Sequence, residues 1–406
     1  MTTPASVVPT DLDSLSDYSL QLNKWLLITI GAWPSTPSTT KIEKIVSFIL
    51  IVICYCTILT TVLPSILYVI LADEDLQQKL MVMGPLSHWF IGGINYTTLL
   101  LRGKEIQCCI KRVQTDWRTV TRLNDQKIMM RNAEIGRYVV VCCTAFMQGG
   151  VLCYCVITGF TTEVVQVGNE TRTVRLLPCA AYKKLIPVDT SPTNEIILFV
   201  QFLAGFVVNS TTVGAFSLAI VFAAHAYGQL DVLSTWITEF VNQSREHDKN
   251  AFLNSIGPAV EKHLNVLTFI SHIEDMLTEM CFLELFQCTF GICLLGYYVL
   301  LYWALHDLQN MVTCSIILFS MSCNIFVVCF IGEKLSEQCT KVGEAVYMTE
   351  WYHLPGKDIL DLVLIISRSS VVTKITAGKI VHMSLYTFTT VMKTAFAYIN
   401  VLRQTT

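Results

Sequence analysis

The sequence predicts an all-α membrane protein with seven transmembrane helices. Three observations carry that prediction. Hydrophobic residues make up 53% of the chain and charged residues only 15%, where a soluble domain carries about 25% charge. Mean hydropathy is +0.53. The apolar residues also gather into runs close to the length of a bilayer crossing. The net charge of −3 gives no electrostatic reason for a nucleic-acid partner; the lipid bilayer is the partner the composition implies.

The elements follow in order. Residues 1–41 are polar apart from a short run between Trp25 and Trp33. That run is too brief to span and reads as an interfacial stretch, its tryptophans at headgroup level. No cleavable signal peptide is evident, so insertion is expected to start at the first span. Spans are expected at 42–71 (kinked at Pro64), 80–101, 138–160, 195–227, 280–305, 311–331 and 377–402. Gly84, Pro85, Gly92 and Gly93 loosen the second, which membrane helices tolerate when neighbours restore the lost bonds. The stretch 161–194 is expected to be an extracellular loop. Residues 228–279 carry helical periodicity through Leu230, Leu233, Ile237 and Val241, and again through Val260, Leu264, Leu267 and Ile270. They read as helices running on beyond the membrane. Residues 332–376 read as a second such helix and a loop, and 403–406 as a tail.

The seventh span is the most polar, holding Lys379, His382, Lys393 and Asn400. A charge inside a span faces protein or water rather than lipid. Two readings of Lys393 stand open: a place near a water path, or a pair with a carboxylate such as Glu163 or Asp307. Most of the 16 cysteines lie within apolar runs, where they act as small hydrophobes. No Cys/His spacing suits a metal, and no cofactor is expected. His-Glu-x-x-His, Gly-x-Ser-x-Gly and paired intramembrane aspartates are all missing, so an enzyme is not expected and no catalytic residue is assigned.

Orientation follows from lysine and arginine, which favour the cytosol. With the N-terminus inside, cytosolic segments carry 20 of these residues and extracellular ones 6. An odd number of spans then leaves the C-terminus outside. The sequons at Asn95 and Asn209 fall within spans; Asn169 falls in the outer loop and is the expected glycosylation site, whereas Asn242 would be cytosolic. This arrangement is opposite to that of a G-protein-coupled receptor. Neither an Asp-Arg-Tyr-like triplet nor Asn-Pro-x-x-Tyr is present to support that alternative.

The C-terminal sixty residues carry Tyr347-x-x-x-Trp351-Tyr352-x-Leu354-Pro355, then Thr376-Ala377-Gly378-Lys379, Ser384-Leu385, Thr387-Phe388, Lys393-Thr394, Tyr398 and Val401-Leu402-Arg403-Gln404. This pattern closely resembles the C-terminal signature of insect odorant receptors. His225-Ala226-Tyr227-Gly228-Gln229-Leu230 resembles the same family. Gustatory receptors, a related class of ligand-gated channels, are the alternative, but their C-terminal pattern differs. The insertion that marks the shared co-receptor between spans four and five is absent, so the resemblance is to an odorant-tuned subunit.

The resemblance implies a cation channel of four subunits, a heterotetramer with the co-receptor. It implies a cytosolic anchor at 230–277 and 335–352 and a pore-lining span at 377–402. The gate carries over to Val401, with Gln404 at the outer mouth and Asn400 beside it. It implies a plasma membrane location on a sensory-neuron dendrite and a small volatile odorant as ligand. The family's pocket lies in the outer half of the membrane between spans two, three, four and six. Allowing for the direction of each span, the candidates are Ser87, His88, Phe90 and Ile91; Phe146, Met147, Gly150 and Tyr154; Phe199, Phe202 and Phe206; and Leu318 and Phe319.

Overall fold

A computed structural model describes residues 12–405 apart from 37–38, 168–169, 247–254 and 372. The described helices are α1 (Leu12–Thr29), α2 (Lys41–Leu71), α3 (Leu76–Leu101), α4 (Gly103–Thr119), α5 (Leu123–Phe160), α6 (Thr193–Glu246), α7 (Gly257–Ala304), α8 (Leu308–Tyr347), α9 (Gly356–Ser370) and α10 (Leu385–Thr405). Two antiparallel hairpins interrupt them: β1 (Thr162–Val167) with β2 (Glu170–Arg175), and β3 (Thr376–Ala377) with β4 (Val381–His382). Helices α2, α5, α6, α7 and α8 are long and apolar enough to cross a membrane by length and composition alone. Helices α3 and α10, with 26 and 21 residues, have the length for a crossing but a more polar sequence.

Helix α6 is the mast of the molecule. Its 54 residues extend roughly 80 Å, well beyond a hydrocarbon core of about 30 Å. Helices α1, α3 and α5 reach it closely because small residues stand at the contacts. A Cβ on Gly92 of α3 would lie 2.0 Å from Val208, one on Gly136 of α5 2.7 Å from Ala224, and one on Gly214 of α6 2.5 Å from Leu27 of α1. Helix α7, with 48 residues, is another mast. The boundaries expected at 228, 280 and 332 therefore fall inside continuous helices. Each expected span and the extension beyond it form a single rod.

A polar network joins α4, α5, α6 and α7 at the end away from the β1–β2 hairpin. Arg112 and His225 meet the carboxylate of Asp116 at 3.0 and 3.1 Å, and Arg122 meets Glu239 at 2.6 Å. Trp236 Nε1 donates to Asp125 at 2.9 Å, and Lys262 donates to Gln229. Burial opposes the charge on Asp116, but the His225 hydrogen bond and the cations of Arg112 and Lys262 outweigh it and hold the carboxyl below its usual range. Burial lowers the Lys262 ammonium, against the pull of Asp116 and Asp125. The stripe of Leu335, Val342 and Val346 is buried within this chain. Helix α9 covers it, with Gly343 close against Ser369.

Two expectations need correction, and one open reading narrows. The seventh span does not begin at 377. Residues 376–382 form the β3–β4 hairpin, whose turn holds Gly378 and Lys379 at φ of +61° and +59°. The Gly378 N–H donates to Thr278 O at 2.8 Å, and Lys379 pairs with Asp275 at 2.6 Å. The helix starts only at Leu385, so Lys379 and His382 lie outside it. The stretch 161–194 is not a plain loop, since it opens with the β1–β2 hairpin. Finally, the Asp307 carboxylate caps α8 through the Asn310 N–H at 3.1 Å. Lys393 is exposed on α10 with no carboxylate partner among the described residues. The Glu163 side chain lies outside the described residues.

Candidate functional site

A cavity of about 390 Å³ opens between α3, α5, α6, α7 and α8. Helical spacing builds each wall. Met147, Gly150 and Tyr154 lie three and four residues apart on one face of α5. Glu284, Gln287, Gly291, Leu294 and Tyr298 do the same on α7. Gly150 lets α5 approach α8, since a Cβ there would lie 2.8 Å from Ser320. Asn209 on α6 donates to Met147 O at 3.2 Å and to Gln148 Oε1 at 2.9 Å, and Gln148 donates to Ser210 at 2.8 Å. Those bonds fix α5 against α6 beside the cavity.

The roof is the segment after β2. Leu176, Leu177, Pro178 and Ala180 face the space. The Gln201 side chain accepts from Cys179 N–H at 3.1 Å and donates to its carbonyl at 2.8 Å. Tyr154 OH donates to Pro178 O at 2.8 Å. Asn194 brackets Arg175 in the same two-bond fashion. At the opposite end, Glu284 is 7% exposed; its Oε1 accepts from Asn324 at 2.5 Å and from the Cys288 thiol at 3.5 Å. The cavity thus has apolar walls, a pinned roof and a polar inner end, the form of a small-molecule site.

Four sequence candidates line this cavity: His88, Met147, Gly150 and Tyr154. The others do not. Phe90, Phe146, Phe199, Phe206 and Phe319 are exposed outward, Phe199 at 63%. Ser87 is spent on a hydrogen bond to Gly84 O in its own helix. Ile91 is buried away from the space, Phe202 packs across Gly159, and Leu318 packs into the core from another face of α8. The whole α7 wall and the roof escaped the sequence reading. One signal could have found the former: Glu284 is the only charge within 280–305, and such a residue faces protein or a cavity.

Helix α10 packs by one face. Val391, Ala395 and Ile399 are buried, and Ile399 sits against Gly296 of α7, where a Cβ would lie 2.3 Å away. Lys393, Asn400 and Val401 lie on the uncovered side, Val401 at 54% exposure. The side chain of Gln404 and the whole of Asn169 lie outside the described residues.

Long unbroken helices around an intramembrane cavity, with a last helix exposed on one side, define a multi-pass membrane receptor. The chain belongs to the 7tm odorant receptor family, whose model matches residues 75–396. It is 21% identical to odorant receptor 10 of Aedes albopictus over 80% of this chain and 84% of that one. It is 23% identical to odorant receptor 13a of Drosophila melanogaster over 55% and 56% of the two chains. Its fold matches the insect olfactory receptor OR5 from Machilis hrabei at a TM-score of 0.76, with 15% identity, covering 96% of this chain and all of that one. The same receptor in complex with eugenol matches at 0.73.

Proposed function

We propose that this odorant receptor is the tuned subunit of a ligand-gated cation channel, with the cavity as its odorant site and α10 as its pore helix. Its N-terminus is cytosolic, and it assembles with the co-receptor in the plasma membrane of a sensory dendrite. One observation carries the reading: α7 forms a cavity wall with Gly291 and Leu294 and holds the pore helix through Gly296 against Ile399. An occupant that shifts α7 therefore acts directly on α10. The solved relative that holds eugenol supports a small organic molecule as the ligand class.

The energetics suit a volatile. Burying about 250 Å² of apolar surface yields roughly 6 kcal/mol at about 25 cal/mol per Å², which ordering costs reduce to the micromolar region. Gating needs only tighter binding to the open state; a total preference of about a thousandfold shifts the equilibrium by about 4 kcal/mol. On α10, Val401 forms the apolar gate, Asn400 stands beside it and Gln404 forms the outer mouth. Asn169 is the glycosylation site. The test is expression with and without the co-receptor, with currents recorded against an odorant panel. Odorant-evoked cation current that requires both chains is expected. Responses that instead need a G protein would overturn the reading.

A further inference from the structure

Resting on the reading of this cavity as the odorant site, we propose that its inner end selects ligands bearing a primary amine on an apolar chain. Unmatched polar atoms gather at this cavity. Glu284 Oε1 is occupied by Asn324 and Cys288, and among the described residues no further hydrogen-bond donor and no cation meets the carboxylate. One turn on, Gln287 is 3% exposed, and its Oε1 is buried without a partner. On α3, His88 Nε2 is likewise buried and unpartnered. All three side chains line the cavity.

A carboxyl held out of water carries its charge at a cost unless it is paired, so an occupant that brings a cation and several donors favours the ionised form and binds to it. Residues three apart on a helix stand about 5–6 Å from each other at Cβ, so a single head group reaches both Glu284 and Gln287. An ammonium brings three donors and no acceptor. A hydroxyl brings one donor. An ester or ketone sets a further acceptor against the carboxylate. Hydrogen bonds between two charged partners are also roughly twice as strong as neutral ones. Beyond this end the walls turn apolar, with Met147, Leu294 and Ile317 placed to hold an alkyl chain.

Trp89 lies in the cavity wall and supplies a binding signal independent of gating. The full-length protein in lipid nanodiscs is titrated with n-octylamine, 1-octanol and methyl heptanoate while tryptophan fluorescence is read, with Trp89→Phe as the blank. The wild type is expected to bind the amine about tenfold to a hundredfold more tightly than the alcohol. Glu284→Gln should shrink that ratio by about tenfold, and Gln287→Leu should shrink it by less. Equal affinities for amine and alcohol in the wild type, a ratio unmoved by Glu284→Gln, or no binding of any probe overturns the proposal. Currents recorded with the co-receptor separate the two claims. A Glu284-dependent preference for amine without any current retains the ligand class and rejects the channel. Currents to octanol and ester without that preference retain the channel and reject the ligand class.

Discussion

At His263 a single imidazole lies buried in the first turns of α7, with its Nε2 unpartnered. Burial, helped by the nearby Arg368 cation, pushes its pKa down to about 4. The unfolded chain, near 6.5, binds a proton that the folded chain refuses, so stability is complete above about pH 6.5 and falls as the pH drops toward 4. The loss amounts to on the order of 3 kcal/mol at the acid end. Thermal melting in detergent between pH 7.5 and 5 should show it, and His263→Leu should flatten that part of the profile. Legibility in the sequence is uneven at this scale. His88, Met147, Gly150 and Tyr154 come together on one cavity because the direction of each span sets which of its residues share a depth. The phenylalanines were not legible, since a face toward lipid and a face toward an apolar cavity have the same composition. Phe199 and Phe206 mark the lipid side of α6, whereas the small residue Gly205 marks the cavity side. Glu284 was readable in principle, as a lone charge in an apolar run.

Among the elements, α10 invites the clearest test. Its buried stripe is committed to α7 and α8, which leaves Val401 on the open side. If that side faces an ion path, Val401→Ala removes apolar bulk from the constriction and eases its wetting. Cation current without odorant should then rise several-fold in patch recordings with the co-receptor; an unchanged baseline places the gate elsewhere. Five of the expected spans fall in helices long and apolar enough to cross a membrane, because a bilayer demands about 20 apolar residues whatever the fold. The beginning of α10 was not legible. Gly378 alone signals the left-handed turn, and the pairing of Lys379 with Asp275 joins residues 104 positions apart, which no local pattern reveals. The β1–β2 hairpin left a faint trace in its Thr- and Val-rich strands, Thr162–Val167 and Glu170–Arg175.

For the whole molecule, orientation is the property on which the channel reading depends. The excess of cationic residues on one set of loops predicts that a tag at Met1 stays hidden from antibody on intact cells while a tag at Thr406 is labelled. The reverse pattern would point to a G-protein-coupled topology. Helices α6 and α7 run unbroken from the cavity wall to the network of Asp116, Lys262 and Asp125. Sequence periodicity marked residues 228–279 as helical but not the continuity of those helices with the spans.

The two bonds from Gln201 to Cys179 bear on time rather than on affinity. With Tyr154 they latch the stretch above the cavity to α5 and α6, so an occupant that left by this side would leave only as fast as that latch fluctuates. On the reading of the cavity as the odorant site, one amide side chain would then set how long a signal outlasts its stimulus, quite apart from the contacts that choose the stimulus.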